Sequence, residues 1–302
     1  MFSTTSEQNS FMDRFNISSE RFKSAMLTWD ALEEIAEKHE QDKNKNEHEE
    51  ILRSYAECIR KCPYVHSLHY RVKDTEHLIE KIIRKNPKIM AEGDAISVSN
   101  YKEKITDLMG IRVLLLFKED WLRVHEYIMD NYGKDLNEEP FVYIRKGDER
   151  ELYEGRVKII DERAYRSVHY VIKDKSGCCV EIQVRTLYEE AWSEIDHKLC
   201  YPYNMKNEML NAYMDMMAQM TGMNDNMGTF ICHYMERFED ARQKGVLSTN
   251  GVYDYILEEI KNCEDPELRA RIEEKIRSAK EFRELVSVSD LFSSIMTRIS
   301  TE

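Results

Sequence analysis

The stretch "AYRSVHYVIKDKSGCCVEIQVRT", residues 164–186, decides the fold because it contains two extended runs joined by a polar turn. Two such runs predict a β-hairpin. In the second run apolar and polar residues alternate, which places them on opposite faces of a strand. Its apolar face holds Val180, Ile182 and Val184, and its polar face holds Glu181, Gln183 and Arg185. The polar face meets either solvent or a substrate, and this stretch alone is consistent with both.

The length of the connection between the two runs sets which residues share a face with Glu181. An even-length connection places Glu181 on the face of Val168 and Tyr170. An odd-length connection places it on the face of Ser167 and His169. In both cases Glu181 lies near polar or aromatic groups of the first strand.

The composition limits the classes of protein to which the chain can belong. Its 302 residues fit one large domain or a domain with helical additions. With 44 Lys and Arg against 57 Asp and Glu, the net charge of −13 excludes a global positive field, so any nucleic-acid contact needs a local basic patch. Seven scattered cysteines suit free thiols in a reducing compartment, and no run approaches the roughly 18 apolar residues of a membrane span. We therefore expect a cytoplasmic protein without a membrane partner.

Further strands and helices are predicted upstream of the hairpin. The run "IRVLLLF", residues 111–117, is continuously apolar, which is typical of a central strand covered on both faces. A short helix is expected to end just before it, near Met109 and Gly110. The other expected elements are a strand within 64–72, a helix over 76–84 that Pro87 closes, a helix over 119–132 and a strand pair within 141–160.

The chain divides into three regions by composition. Residues 1–60 are polar and helix-prone, residues 61–203 contain the predicted sheet, and residues 204–302 hold amphipathic helices with breaks at 245–251 and Pro266. The C-terminal helices carry a Met-rich stripe that favours core packing or a subunit interface, so we expect a homo-oligomer. The predicted fold is α/β (α+β), with a mixed sheet enclosed by helices and with helical extensions at both ends.

Three cations surround the turn that follows the strand within 64–72. Arg71 and Lys73 share one face of that strand, and Lys81 lies in the next helical segment. Such a cluster suits a polyphosphate. The turn has no glycine and does not form a Walker loop, so ordinary surface cations would give the same pattern.

Asp107 and Arg112 flank the start of the buried strand. Asp107 precedes Gly110, where a carboxylate can point into a cleft, and Mg²⁺ prefers one or two such carboxylates together with phosphate oxygens. A simple turn aspartate is the alternative. Arg112 lies inside the strand between apolar neighbours, so its charge requires a partner.

Beyond the hairpin, the run "EEAWSEIDHKL", residues 189–199, places four polar groups at helical spacing. Glu194 and Lys198 are spaced as a favourable i, i+4 ion pair. His197 is either a ligand or a plain surface residue. The polar face consists of Glu190, Glu194, His197 and Lys198.

Taken in order, these pieces resemble the synthetase domain of the RelA/SpoT family, the nucleotidyltransferases that make the alarmones ppGpp and pppGpp. Each motif is modest by itself, but the combination is specific, and it covers about residues 60–203. The motifs are "RVK" at 71–73, "DLMGIRV" at 107–113, "YRSVH" at 165–169, "EIQVRT" at 181–186 and "DHK" at 196–198.

The resemblance implies transfer of the β,γ-pyrophosphate of ATP to the 3′-hydroxyl of GDP or GTP on a nucleotidyltransferase-like mixed sheet. It implies that Asp107 is a Mg²⁺ ligand and that Glu181 holds the metal or accepts the hydroxyl proton. Tyr165 would stack on the guanine. The implied ATP-binding residues are Arg71, Lys73, Lys81 and Arg112, and the implied acceptor-binding residues are Tyr165, His169, Gln183, Arg185, His197 and Lys198.

The chain departs from the family pattern at Ala164, where a glycine usually precedes the tyrosine, and at His77, where serine is common. Both departures concern the acceptor more than the metal chemistry. One alternative is a toxic member of the family that pyrophosphorylates the 3′ end of tRNA, with or without an antitoxin partner. Another is a degenerate nucleotide-binding regulator. Because the chain has no His-Asp dipeptide, we expect a small, synthetase-only member.

Overall fold

The computed structural model describes residues 2, 4–145, 148–200 and 207–243. The α-helices are α1 (Thr5–Arg14), α2 (Ser19–Ser24), α3 (Trp29–Asn44), α4 (Glu47–Ile59), α5 (Thr75–Ala91), α6 (Tyr101–Lys104), α7 (Asp120–Tyr132), α8 (Leu187–Leu199) and α9 (Glu208–Gln243). The strands are β1 (Ser67–Val72), β2 (Met109–Leu115), β3 (Phe141–Arg145), β4 (Lys158–Glu162), β5 (Ser167–Lys173) and β6 (Cys179–Thr186). In this part of the chain no helix has both the length and the apolar character of a membrane span.

The strands form one mixed sheet in the order β1-β2-β6-β5-β3-β4. Strand β2 runs parallel to β6, and β3 runs parallel to β4, whereas the remaining pairs are antiparallel. This arrangement confirms the predicted fold class. The continuous apolar run forms β2, which is hydrogen-bonded on both sides but lies only one strand from the β1 edge.

The register of the β5–β6 hairpin settles the question left open by its sequence. Residues 174–178 connect the paired Lys173 and Cys179, so the connection has an odd length. Glu181 pairs with Val171 and therefore shares the face of His169 and Ser167. The opposite face belongs to the core, where Ile111, Ile182 and Tyr170 follow one another across three strands.

Helices α4 and α7 cover this apolar face. Leu52 and Ile59 from α4, together with Trp121 and Ile128 from α7, are fully or almost fully buried against it. The Tyr170 hydroxyl accepts a hydrogen bond from the Trp121 indole N–H at 3.2 Å, so its burial leaves no unsatisfied polar group. The opposite, polar face of the sheet is thereby left for a site.

A second core joins the N-terminal helices to α5. Phe11 of α1 and Leu32 of α3 are buried with Leu78, Ile79 and Ile82 of α5. The first turn of α5 is capped by the Asp74 carboxylate, which accepts the backbone N–H groups of Glu76 and His77. The helices predicted within residues 1–60 are therefore confirmed, and they hold the helix that follows β1.

Two predicted helix ends are wrong. Pro87 does not close α5, which continues to Ala91. The neighbouring Asn86 is buried, donates to the Ala25 carbonyl at 2.7 Å and accepts from the Ile96 N–H at 2.8 Å, so tertiary contacts hold the helix where the proline ring removes one backbone bond.

The short helix before β2 also ends earlier than predicted. Helix α6 ends at Lys104, and Met109 already belongs to β2. The carbonyl of Leu108 accepts the Lys73 N–H at 2.8 Å, which extends the β1–β2 ladder backwards. This pairing competes successfully with helix formation, and it places residues 105–108 in an extended link to the strand.

A buried ionic cluster ties α9 to the end of the sheet. Arg166 lies next to Asp225 of α9 and 3.1 Å from Glu189, whose other ionic partner is Arg145 at 2.7 Å. Arg145 also donates to the Ala218 carbonyl at 2.8 Å. All four ionic side chains are buried. Because an unpaired buried charge is costly, these pairs fix α9 and the chain around Arg166 together.

Helix α9 confirms the long amphipathic helix predicted after residue 204. Its inward face places Met214 and Ala218 against Trp192, whereas other methionines, Met216, Met220 and Met223 among them, are exposed. Residues 1–230 form one compact unit, and of the second unit, residues 231–302, the structure describes the end of α9. The helices predicted beyond residue 245 lie outside the described residues.

The buried ionic cluster makes Arg166 a sensitive position for stability. Replacing Arg166→Leu leaves Asp225 and Glu189 without their shared partner, and we expect the free energy of unfolding to fall by about 3–5 kcal/mol. The control is Arg163→Leu, which removes an exposed ion pair with Asp215 and is expected to cost at most about 1 kcal/mol. Urea unfolding followed by circular dichroism measures both values, and equal losses would contradict the assignment.

Candidate active site

Glu181 lies at the centre of the polar face of the sheet. Its Oε1 accepts from Nδ1 of His169 at 3.0 Å, and its Oε2 accepts from the Gln183 amide at 2.8 Å. Burial alone would raise the pKa of Glu181, but the hydrogen bond and charge of His169 and the nearby Lys81 outweigh it and lower that pKa. The polar stripe of β6 therefore does not simply face water. It holds an ionised carboxylate in a fixed orientation.

Aromatic side chains surround the His169 imidazole. Phe141 stacks on it with 5.1 Å between ring centroids, and Tyr143 meets it edge-on at 5.3 Å. The Tyr165 hydroxyl lies 3.3 Å from Nε2 of His169. Since Nδ1 donates to Glu181, the other ring nitrogen, Nε2, is left for the bond to the Tyr165 hydroxyl. A chain of hydrogen bonds thus joins Tyr165 to Glu181.

The Tyr165 ring lies beside the Arg185 guanidinium, whose central carbon is 5.6 Å from the ring centroid. This geometry is a cation–π contact. Arg185 is buried, donates to the Gln183 amide oxygen and lies 3.4 Å from Glu190. Its Nε has no hydrogen-bond partner within the described residues, so Arg185 retains a donor for a bound group.

Asp107 and two lysines form the second part of the site. Oδ2 of Asp107 lies 2.9 Å from Nζ of Lys73 and also accepts from Lys81. Burial would raise the pKa of Asp107, but the charges of Lys81 and Lys73 lower it to about 2. Its Oδ1 is buried and has no hydrogen-bond partner in the described part of the chain.

The parallel pairing of β2 with β6 brings the two carboxylates together. Gly110, three residues after Asp107, pairs with Glu181 across the strands. The charge of Lys81 lowers the pKa of both carboxylates, so its ammonium group is close enough to interact with each of them. The predicted metal-binding and base residues therefore do occupy one site.

Arg112 has the partners that its position in a buried strand required. One of its terminal nitrogens lies 2.9 Å from Oε1 of Glu190 and also contacts Glu194. Glu194 thus reaches across to β2. Arg71 of β1 is exposed on the same face of the sheet. In the β1–β2 register it lies opposite Gly110.

The last turn of α8 borders this site. Desolvation, Arg112 and Arg185 together lower the pKa of His197 to about 4, so its imidazole is neutral near pH 7. Lys198 is exposed, and within the residues that the structure describes no hydrogen bond or ion pair joins it to the site. The structure therefore brings His197 next to the predicted residues but leaves Lys198 outside their contacts.

Sequence reasoning placed Glu190 on the polar face of α8 without giving it a role in the site, and it missed Lys85 altogether. Glu190 bridges Arg112 and Arg185, and its spacing from Glu194 on α8 was the available signal. Lys85 was missed although it lies one helical turn after Lys81. Burial and the charge of Lys81 lower the pKa of Lys85, and the negative fields of Asp107 and Glu181 oppose that shift.

The donor set limits which metal the site could hold. Among the described residues no group of three or more His, Cys, Asp or Glu side chains is arranged around a metal position. Asp107 and Glu181 form a carboxylate pair, and one oxygen of Asp107 has no hydrogen-bond partner among the residues that the structure describes. Two carboxylates suit Mg²⁺ that is shared with phosphate oxygens, whereas a zinc site would need more protein ligands.

Comparison with known proteins finds relatives that are similar to part of this chain. GTP pyrophosphokinase YwaC of Bacillus subtilis (strain 168) is 26% identical over 147 residues, which cover 44% of this chain and 57% of that protein. The chain thus spans somewhat more than half the length of this curated relative.

Two solved structures, both of small alarmone synthetase 1 from Bacillus subtilis, are also similar. The first is 19% identical with a TM-score of 0.49 and covers 66% of this chain and 98% of that one. The second, bound to its product pppGpp, is 20% identical with a TM-score of 0.45 and covers 65% and 99%. Residues 70–206 match the sequence model of the region found in RelA / SpoT proteins. This match confirms the resemblance carried by the sequence motifs.

Proposed function

We propose that the chain is a (p)ppGpp synthetase, which transfers the pyrophosphate of ATP to the 3′-hydroxyl of GDP or GTP. The observation that carries the proposal is the juxtaposition of Asp107 and its two lysines with Glu181 and its His169–Tyr165 relay. The first half suits a polyphosphate and a divalent cation, and the second half suits a hydroxyl nucleophile on a planar base. The relative YwaC is a GTP pyrophosphokinase, which supports the same reaction.

The cations of the first half would hold the triphosphate of ATP. Lys73 and Lys81 each carry three N–H donors and share one oxygen of Asp107, so both keep donors for phosphate oxygens. Lys85 adds a third charge one helical turn away. Arg71 and Arg112 would complete the ATP site on the adjoining face of β1 and β2. Such transfer requires mainly positioning and charge compensation, which these side chains supply.

Asp107 and Glu181 would hold the Mg²⁺ that accompanies ATP. The free oxygen of Asp107 and the ionised state of both carboxylates fit a hard cation. When bound, the ion would neutralise charge on the phosphate oxygens and orient them. Neighbouring Lys73 and Lys81 keep Asp107 ionised, so its affinity for a cation would persist well below neutral pH.

The hairpin would bind the acceptor nucleotide. The Tyr165 ring offers a stacking surface for guanine, and Arg185, His169 and Gln183 offer donors beside it. His197 borders the same pocket as a neutral imidazole. Binding of a base on the Tyr165 ring would replace the present cation–π contact with Arg185.

Glu181 would accept the proton of the 3′-hydroxyl during transfer. The hydroxyl oxygen forms a bond to the β-phosphorus of ATP, the bond from that phosphorus to the oxygen bridging the α-phosphate breaks, and AMP leaves. Because the pKa of Glu181 lies below its usual value, the carboxylate is a weak base before the bond forms. We therefore place proton transfer late, when the attacking oxygen has become acidic.

The proposal extends to location and assembly. The cysteines in the described residues are free thiols, which is consistent with a reducing cytoplasm. The exposed methionines of α9 support a homo-oligomer in which this stripe is covered. ATP and a guanine nucleotide would be the small-molecule partners.

The acceptor assay tests the proposed function. We expect label from γ-labelled ATP to appear on GDP or GTP with release of AMP, because both transferred phosphates move together. A GTP analogue without the 3′-hydroxyl is the matched control and should remain unlabelled. Label only on deacylated tRNA would establish the toxic alternative, and ATP binding without any labelled acceptor would favour a nucleotide-binding regulator.

Glu181→Gln should reduce kcat by about 10² to 10⁴-fold, because the amide keeps the size of the side chain but can neither ionise nor accept a proton. Thermal unfolding should show that the variant remains folded. Glu162→Gln is the control because Glu162 is exposed at the β4 edge of the same sheet. Wild-type turnover in Glu181→Gln would exclude the role given to this carboxylate.

Tyr165→Ala should raise the KM for the guanine nucleotide by about 10-fold or more, since stacking on an aromatic ring contributes roughly 1–3 kcal/mol per base. Tyr165→Phe keeps the ring but loses the hydrogen bond to His169, so its KM should stay near the wild-type value. Steady-state kinetics with saturating ATP separates the two variants. If both variants keep the wild-type KM, the base does not stack on Tyr165.

A further inference from the structure

The N-terminal helix α3 contacts the segment that carries the lysine nearest to Asp107. Nε2 of His39 lies 2.9 Å from the carbonyl oxygen of Lys73, and His39 is fully buried. Since a carbonyl only accepts, Nε2–H of His39 is the donor. Lys73 is the last residue before the cap of α5, so this bond fixes the backbone where β1 passes into the helix.

The residue next to His39 holds the other side of the same turn. Oε1 of Glu40 accepts a hydrogen bond from the Thr75 hydroxyl, and Thr75 is the first residue of α5 and almost fully buried. Lys43 lies 3.1 Å from Glu40 and holds its carboxylate in place. Two consecutive residues of α3 therefore hydrogen-bond to the residues on either side of Asp74.

The N-terminal helices support α5 at further points along its length. Arg14 makes two hydrogen bonds, at 2.9 and 2.6 Å, to Glu76 in the first turn. Asn86 in the later turns donates to the Ala25 carbonyl. The buried leucine and isoleucines of α5 pack into the same helices. Helix α5 carries Lys81, so its position sets where that ammonium meets Asp107.

From these contacts we infer that His39 and Glu40 are positioning residues for the ATP side of the site, although both lie outside residues 70–206. His39 holds the backbone of Lys73, and Glu40 holds the start of α5, so that both lysines converge on Asp107. This inference rests on the proposed function for the identity of the ligand. The backbone restraint itself is a property of the folded chain and can be measured without turnover.

His39→Leu in the full chain tests the restraint. The variant introduces an apolar side chain of similar size and removes the donor to the Lys73 carbonyl. We expect binding of AMPCPP, a non-hydrolysable ATP analogue, to weaken about 10-fold, which matches the loss of one positioning hydrogen bond. Hydrogen exchange should become faster in peptides that span residues 70–80. The KM for the guanine nucleotide should stay unchanged.

His48→Leu is the matched control. His48 is a buried histidine of α4 in the same helical layer, 6.3 Å from His39 between ring centroids. Its loss should lower stability without changing AMPCPP binding or exchange in residues 70–80. Equal weakening of AMPCPP binding in both variants would reduce the effect to general destabilisation and overturn the inference.

Two further variants keep the test decisive if His39→Leu folds poorly. Thr75→Val removes the hydroxyl that Glu40 accepts while keeping the shape of the side chain, and it should also weaken AMPCPP binding and speed local exchange. His39→Gln restores an N–H donor and should recover part of the affinity. Wild-type AMPCPP affinity in both His39→Leu and Thr75→Val would overturn the inference.

The proposed function and the positioning role fail in different ways. A wild-type chain that binds AMPCPP but labels no guanine nucleotide would remove the proposed acceptor reaction, while the exchange and affinity measurements would still decide the role of His39. A wild-type chain that transfers pyrophosphate, with His39→Leu unchanged in KM for ATP and in AMPCPP affinity, would remove the positioning role alone.

Discussion

The parallel pairing of β2 with β6 is the constraint on which the site depends. It sets Gly110 opposite Glu181, so the carboxylate that precedes β2 and the carboxylate in the middle of β6 meet on one face. A shift of that register by one residue would send Glu181 into the core and bring an isoleucine to the site. The apolar residues on the other face, Ile111 and Ile182 among them, prevent such a shift because they are fully buried. The core thus determines which side chains lie on the polar face, because successive residues of a strand alternate between the two faces.

Charged side chains on the polar face of the sheet are largely removed from water, which costs free energy. Ion pairs and hydrogen bonds must offset that cost. Asp107, Glu181 and Arg185 are all largely removed from water, and each has an oppositely charged or hydrogen-bonding partner. The partners do more than stabilise the fold, because they also determine protonation. Two lysines keep Asp107 ionised, and His169 keeps Glu181 ionised. Among the described residues, the groups of this network without a hydrogen-bond partner include one oxygen of Asp107 and Nε of Arg185, which offer an acceptor and a donor to a ligand.

Much of the fold could be predicted because its signals are local. The alternation of β6 and the apolar run of β2 indicated which face each residue occupies, and the family motifs then predicted which of those residues belong to the site. The register of the hairpin could not be predicted, since it depends on where residues 174–178 begin to turn. The prediction that Pro87 ends the helix was wrong because local propensity favours a break there, whereas the buried hydrogen bonds of Asn86 hold α5 together. Tertiary structure overrode propensity at that point.

The roles of Glu190 and His39 could not be predicted because both depend on contacts between elements that are distant in sequence. Helical spacing placed Glu190 on a polar face but could not show that it bridges Arg112 and Arg185. His39 acts on the backbone carbonyl of Lys73, which leaves no periodic pattern. Their contacts also show how the two halves of the site differ. The proposed acceptor half rests on the hairpin, whose register is fixed by the core and whose apolar face is covered by α4 and α7. The proposed donor half rests on the start of α5, which His39 and Glu40 of α3 hold in place. A change in α3 would therefore act on the proposed donor half first, because these two residues contact the turn before α5.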